Sequence, residues 1–322
     1  MRRFRFSVTP PAVSQPLSEW QERLRRIEDI GIDGIAMADH FTDGWDVEPM
    51  VGLTAAALST TRLQLQTSVL SNDYRHPVLV QRMAALIERV SAGRLILGLG
   101  AGWMRSDYEA AGIPLDPPST RIDRLEEGLA VIKGLFSPEP FTFDGSYYAI
   151  RALRGAPTDG LRPRPPFLLG GGGPRMLRFA GREADIVGIN AVQKAGDLGR
   201  PAIVDLFRGS VEKKIGWVHE GIRASGRAAT EVELEMNLWL ARVTSTATEA
   251  KEFLDKVARR YETDPEELRN SPSVLVGTVE QCVDALEERR GALGLSYFQL
   301  DAGFPSRDLD SFAPIVRRLA GT

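Results

Sequence analysis

Four glycines in a row, Gly170-Gly171-Gly172-Gly173, run into Pro174-Arg175 between an apolar segment (Phe167, Leu168, Leu169) and a helical pattern (Met176, Leu177, Phe179, Ala180). A strand that stops in glycines and restarts with proline at the first helical position leaves bare backbone N–H groups on a helix N-terminus. There the macrodipole favours an anion, and the run predicts a phosphate seat. A second set, Gly98-x-Gly100-x-Gly102, also ends an apolar run and leads into Trp103. Backbone without side chains lets a large planar cofactor approach closely. The third constellation is Asp39-His40, which closes Gly34-Ile35-Ala36-Met37-Ala38. An Asp-His pair can hold an imidazole in a chosen tautomer for proton transfer.

The chain has three histidines. His76, in Arg75-His76-Pro77, opens a helical pattern, and His219 lies in a charged helical stretch, so both read as structural. Their spacing offers no metal site, and no cysteine cluster supplies one. Ser68 has no Gly-x-Ser-x-Gly context, so a hydrolase elbow is not supported.

Such groups meet only if short strands end where they stand. Apolar runs predict strands near 4–8, 33–38, 62–69, 94–99, 166–169, 184–189, 232–243 and 295–300. Helical periodicity predicts helices over 17–30, 48–59, 77–91, 120–135, 174–181, somewhere in 200–226, and over 246–260, 278–290 and 308–319. Strand and helix alternate about eight times, each strand a short run rich in Ile, Leu and Val, as parallel strands buried on both faces require. The expectation is a (β/α)8 TIM barrel, α/β in class, forming one domain over 1–322. A doubly wound open sheet would need a glycine-rich turn after its first strand, where this chain has Thr9-Pro10-Pro11.

Two connections are long. Segment 138–165 holds Phe141-Thr142-Phe143-Asp144-Gly145-Ser146-Tyr147-Tyr148, two aromatic-rich runs joined by Asp-Gly, which predicts a hairpin excursion after the fourth strand. Segment 190–226 begins Ala191-Val192-Gln193-Lys194-Ala195-Gly196-Asp197 and exceeds a plain βα loop, so an active-site lid is expected after the sixth strand.

Barrel enzymes keep their chemistry at the C-terminal ends of the strands. Those ends carry Asp39-His40, Thr67-Ser68-Val69 followed by Asn72, Gly98 to Trp103, the four-glycine run, Gly188-Ile189-Asn190 and Asp301-Ala302-Gly303. Trp103, Asn72 and Asn190 are the rim groups expected on the substrate side.

With 322 residues the chain can bury a sizeable core, and its net charge of -3 gives no footprint for nucleic acid or an anionic membrane. The single cysteine, Cys282, stands among Val279, Val283 and Leu286 and reads as inert core. Met1-Arg2-Arg3 lacks the apolar stretch of a signal peptide, and no run reaches the length of a membrane span, so the expected compartment is the cytoplasm.

Several stretches together resemble the luciferase-like monooxygenase superfamily, in particular its branch of oxidoreductases that use the deazaflavin coenzyme F420. They are Ala36-Met37-Ala38-Asp39-His40; Thr67-Ser68-Val69-Leu70 with Tyr74-Arg75-His76-Pro77; the run from Ser91 to Trp103; and Gly170-Gly171-Gly172-Gly173-Pro174. The resemblance is collinear from the first strand to about residue 190, and Ser91 to Trp103 is its most specific part. It implies that Asp39 and His40 face the reactive edge of the deazaflavin, with His40 the acid or base. It implies a non-prolyl cis peptide at Ser68-Val69 under the ring. Gly100, Ala101 and Gly102 match backbone near the cofactor's side chain, and Gly171, Gly172, Gly173 and Arg175 match its phosphate end. Arg75, Arg175 and Arg178 are candidates for the acidic tail.

Some sugar-phosphate dehydrogenases of the branch have a glutamate where this chain has Trp103, and no set of lysines after the sixth strand is read as holding a substrate phosphate. A phosphorylated sugar is therefore not the expected substrate. The resemblance implies hydride transfer between F420 and a small organic substrate in an apolar pocket, no metal, and a homodimer. A reduced-FMN monooxygenase is the alternative, and a deazaflavin-binding protein without turnover is a third reading.

Overall fold

Short, largely apolar runs form the barrel strands, and glycine or proline marks several of their ends. The computed structural model describes residues 1–42, 44–193, 199–300 and 309–320. Its strands are β1 (Arg5–Val8), β2 (Gly34–Met37), β3 (Gln64–Thr67), β4 (Leu70–Ser71), β5 (Leu95–Gly100), β6 (Phe141–Asp144) and β7 (Ala149–Leu153). They continue with β8 (Phe167–Gly171), β9 (Ile186–Ile189), β10 (Glu233–Leu238), β11 (Leu240–Val243), β12 (Val274–Gly277) and β13 (Leu295–Leu300). The main sheet runs β3-β2-β1-β13-β10-β9-β8-β5-β4, and β3 also pairs with β5. This closes a parallel barrel in which β3 and β4 act as one interrupted strand, and helices alternate with the strands: the (β/α)8 fold expected.

The chain falls into two units. The first comprises Met1–Pro11, Glu22–Ala36 and Gly170–Thr322. In it Phe6 and Phe298 pair in register on β1 and β13, their rings 6.4 Å apart. Helices Pro174–Glu183 and Arg208–Ala224 pack closely, because a Cβ on Gly181 would strike the Val218 carbonyl and one on Gly221 the Arg178 carbonyl. A small parallel pair, β11 with β12, is covered by helices Ala247–Tyr261 and Pro265–Asn270 around Leu240, Leu254, Ala258, Leu268 and Val274.

The second unit comprises Ala12–Gln21 and Met37–Leu169. It carries helices Pro49–Ser59, Pro77–Val90, Arg105–Ala111 and Pro118–Leu135. Pro49 and Pro77 each stand in the first helical turn, behind Glu48 and His76, whose side chains accept the N–H groups of Val51 and Val78. Arg94 ties the opening of β5 to the helix Pro49–Ser59 by donating to the carbonyls of Ala57, Thr60 and Leu63. The expected hairpin is present: β6 and β7 pair antiparallel, and Glu127 accepts the N–H groups of Ser146, Tyr147 and Tyr148 at 2.7, 2.8 and 3.2 Å to anchor its turn.

Three stretches add detail to the sequence reading. The stretch 190–226 is, beyond residue 199, two helices, Arg200–Val204 and Arg208–Ala224, and the longer one buries Val211, Ile215, Val218 and Ile222. The helix expected within 200–226 is thus present, and of the stretch expected as a lid residues 194–198 lie outside the described residues. The run 232–243 is two strands, β10 and β11, because the chain leaves the barrel after Leu238, and the second non-hairpin excursion therefore follows the seventh barrel strand. Helix Arg105–Ala111 was not expected, although Gly112 in the left-handed conformation (φ 68°) and Pro114 mark its end. Among the described residues no helix is long and apolar enough to cross a membrane.

Candidate active site

All of the following side chains belong to the second unit. Strand β2 ends at Met37, whose carbonyl accepts the Ser68 N–H at 2.7 Å, so the ends of β2 and β3 are tied where Asp39, His40, Ser68 and Val69 emerge. The Ser68–Val69 peptide is cis, as the resemblance implies. Val69 turns toward β5, where a Cβ on Gly100 would stand 2.7 Å from its methyl group. Gly102, at φ +74°, lies against Tyr108 and Ser71 in a conformation that side-chain-bearing residues rarely adopt. Glycines 100 and 102 are thus required by the chain's own packing. The carbonyls of Ala101 and Gly102 both accept from Arg121, a buried guanidinium on helix Pro118–Leu135.

Asp39 does not hold His40. Its carboxylate is buried and receives both terminal nitrogens of Arg75, at 2.7 and 2.8 Å, and the Ser71 N–H at 2.9 Å. Arg75 also donates to Glu48 at 2.6 Å, so a clasp joins the end of β2 to the head of helix Pro49–Ser59. Burial works to discharge Arg75, but Asp39 and Glu48 outweigh it and hold the guanidinium above its ordinary value. Arg75 is therefore committed internally, and Arg178, in the other unit, pairs with Glu220 at 2.6 Å. Of the two, only Arg75 is committed inside the protein; the Arg178 pair is exposed.

His40 instead meets Asp107, from helix Arg105–Ala111: Nδ1 lies 2.6 Å from Oδ2. Asp107 has no exposed side-chain surface, and its Oδ1 accepts the Phe41 N–H at 3.0 Å. Burial acts to raise the Asp107 carboxyl, but its bonds from His40 and Phe41 prevail and hold it below the ordinary range. Two indoles confine the imidazole, Trp45 at 4.9 Å between ring centroids and Trp103 at 5.6 Å, edge-on. His40 keeps 14% of its side chain exposed.

Beneath these groups lies a second polar chain. Tyr108 donates to Asp73 at 2.9 Å, and Asp73 accepts from Arg124 at 2.7 Å. Burial pushes the Tyr108 phenol up to about 12, with Asp73 adding and Ser71 opposing. Asn72, expected at the substrate side, is buried and donates to the Tyr148 hydroxyl at 3.1 Å, so it tethers the hairpin instead. His76 caps a helix, as expected.

In the first unit the glycine run divides. A Cβ on Gly171 would strike Met176, and one on Gly172 the Ala191 backbone, whereas Gly173 has open space there. Gly173 begins helix Pro174–Glu183 with no side-chain cap, and Arg175 is exposed in its first turn. Lys214 is buried and donates at 2.8 Å to both the Gly172 carbonyl and Asp205. Asn190 is half-buried, its N–H bonded to the Gly171 carbonyl at 2.9 Å. Asp301 to Gly303 lie outside the described residues. Cys282 is buried, and burial pushes its thiol up to about 12, in keeping with inert core. Sequence reasoning missed Asp107 and Trp45. Trp45 stands close in the chain and was open to notice, whereas nothing local marks Asp107 as a partner of His40.

A family model for luciferase-like monooxygenases matches residues 2–296. An F420-dependent glucose-6-phosphate dehydrogenase of Kineococcus radiotolerans is 31% identical over 222 residues, 66% of this chain and 61% of that protein. The chain thus spans about three fifths of that relative's length. Among solved structures, the coenzyme F420-dependent tetrahydromethanopterin reductase from Methanopyrus kandleri superposes with a TM-score of 0.76 at 20% identity, covering 99% of each chain. The oxygenating constituent of 3,6-diketocamphane monooxygenase of Pseudomonas putida, solved with FMN, gives 0.72 at 18% identity, covering 99% of this chain and 98% of its own. At these identities both show the fold alone.

Proposed function

We propose, from the premise that this chain belongs to the luciferase-like monooxygenase family, that it is an oxidoreductase transferring hydride between coenzyme F420 and a small organic substrate. The observation that carries the reading is His40: a partly exposed imidazole past the end of a barrel strand, held by a buried carboxylate and flanked by two indoles. The residues present fit the coenzyme. Ser68, Val69 and the backbone of Gly100, Ala101 and Gly102 form a wall poor in side chains, and Asp39, held by Arg75, keeps the end of β2 in place beside it. In the other unit, Gly171 and Gly172 shape the turn, and Gly173 with the first turn behind it, where Arg175 stands, presents N–H groups without a side-chain cap, which suits a phosphate.

When bound, the deazaflavin supplies a carbon that accepts or donates hydride and reacts poorly with oxygen. The protein's part is the proton. As hydride leaves a substrate carbinol carbon, its hydroxyl proton passes to His40, and in the reverse direction His40 returns it. Trp45 and Trp103 shield the imidazole and give the substrate an apolar surface. A phosphorylated sugar fits poorly: Arg75, Arg121, Arg124 and Lys214 are each bonded to carboxylates or carbonyls, so none is spare for a phosphate dianion.

Side-by-side titration of the protein with F420 and with FMN, read by coenzyme fluorescence, tests the reading. Tighter binding of F420 is expected. A tenfold preference for FMN, about 1.4 kcal/mol, overturns it in favour of a reduced-flavin monooxygenase, and F420 binding with no turnover of any alcohol or carbonyl compound points to a carrier.

A further inference from the structure

The sequence places one carboxylate next to His40, and the fold uses another. Asp39 is saturated: Oδ1 receives one Arg75 nitrogen, and Oδ2 receives the other together with the Ser71 N–H. Asp107 also receives three bonds, but none from a guanidinium or an ammonium group. Its Oδ1 takes the Phe41 N–H at 3.0 Å, and its Oδ2 faces His40 Nδ1 at 2.6 Å and the Tyr74 hydroxyl at 3.4 Å. No Lys or Arg among the described residues pairs with it, so His40 is the one group there that can bring it positive charge.

We propose that Asp107 is the positioning residue for His40, and that Nε2 is the atom through which His40 moves a proton. An ionised carboxylate only accepts hydrogen bonds, so the nitrogen 2.6 Å from it must carry a proton. In the neutral ring this leaves the Nε2 lone pair as the base, and in the charged ring Nε2–H as the acid. The bond to Oδ2 sets the rotation of the ring, while Trp45 and Trp103 confine it on either side. The Phe41 N–H on the same carboxylate fixes the chain immediately after His40, so one buried group sets both tautomer and orientation. The consequence for catalysis rests on the reading of His40 as proton-transfer group. The tautomer does not, and it is measurable without coenzyme.

The test is ¹⁵N-detected NMR of the ring nitrogens in the free protein at neutral to mildly alkaline pH. Three histidines give few signals, and His40→Gln assigns one. In the wild type His40 is expected as the Nδ1–H tautomer. Asp107→Ala is expected to shift it toward Nε2–H, Asp107→Glu to restore Nδ1–H, and Asp39→Asn to leave it unchanged. A wild-type His40 found as Nε2–H overturns the proposal before any variant is made, and so does a tautomer indifferent to Asp107→Ala. In loaded enzyme, Asp107→Ala is expected to lower kcat 10-fold or more with coenzyme affinity nearly unchanged. Failure of F420 to bind at all leaves the tautomer result standing and refutes the coenzyme reading alone.

Discussion

At the scale of single residues, what separates a reacting group from a packed one is which of its atoms are already bonded. Asp39, Arg75, Arg121 and Asn72 carry polar heads suited to binding, yet each is occupied within the protein. His40 has one nitrogen bonded and the ring partly exposed. Replacing His40 with Ala is therefore expected to reduce turnover at saturating coenzyme by about 10² to 10⁴, with a small effect on coenzyme affinity. Rates and affinities of wild type and variant, measured on the same preparation, check this. Weakened binding with an undiminished saturated rate would mean that His40 only packs against the ring.

At the scale of elements, the barrel wall depends on helices that come unusually close. Gly181 and Gly221 face each other's helix backbones across Pro174–Glu183 and Arg208–Ala224, leaving no room for a methyl group. Gly221→Ala is expected to destabilise the protein by ~1–3 kcal/mol through overpacking, read as a lower urea midpoint. Gly216→Ala, on the same helix with open space around its Cβ position, is the control and should be neutral or mildly stabilising. The contrast also bears on the stretch 190–226. Its helix was legible from periodicity within a broad range, but its burial depends on the glycine contacts, which no local pattern reports.

At the scale of the whole molecule, two neighbouring helices of the second unit turn apolar side chains outward. Val51 and Leu58 on one are 69% and 74% exposed, and Leu79, Leu86 and Val90 on the other are 55%, 51% and 40% exposed. The spacings of seven and four residues place these side chains on one face of each helix. Together they offer on the order of 500 Å² of apolar surface, at the size that marks an interaction site rather than scattered exposure. With a polar rim this approaches the roughly 800 Å² per partner of a stable complex. The stripe is mainly apolar, with exposed Arg82 between Leu79 and Leu86, and a homodimer through this face is the expected assembly. Light scattering on a sizing column should give twice the chain mass for the wild type and a monomer for Leu58→Glu with Leu86→Glu. A monomeric wild type would refute it.

The barrel, its order of strands and helices and the hairpin after β5 were legible because their signals are local: apolar period, proline at helix starts, Asp-Gly at a turn. Strand ends were legible too, and with them the segments that carry chemistry. Which side chains meet there was not. Successive side chains leave an extended chain on opposite sides, so adjacency of Asp39 and His40 says little about contact. The carboxylate that reaches the imidazole comes from 67 residues away, on a short helix held by hydrogen bonds to His40, Phe41, Ser71 and Asp73. The glycines show the same limit. Their positions are plain in the chain, but whether each has open space beside it, as Gly173 does, or a neighbouring side chain, as Gly100 does, is decided only when the strands and helices close on one another.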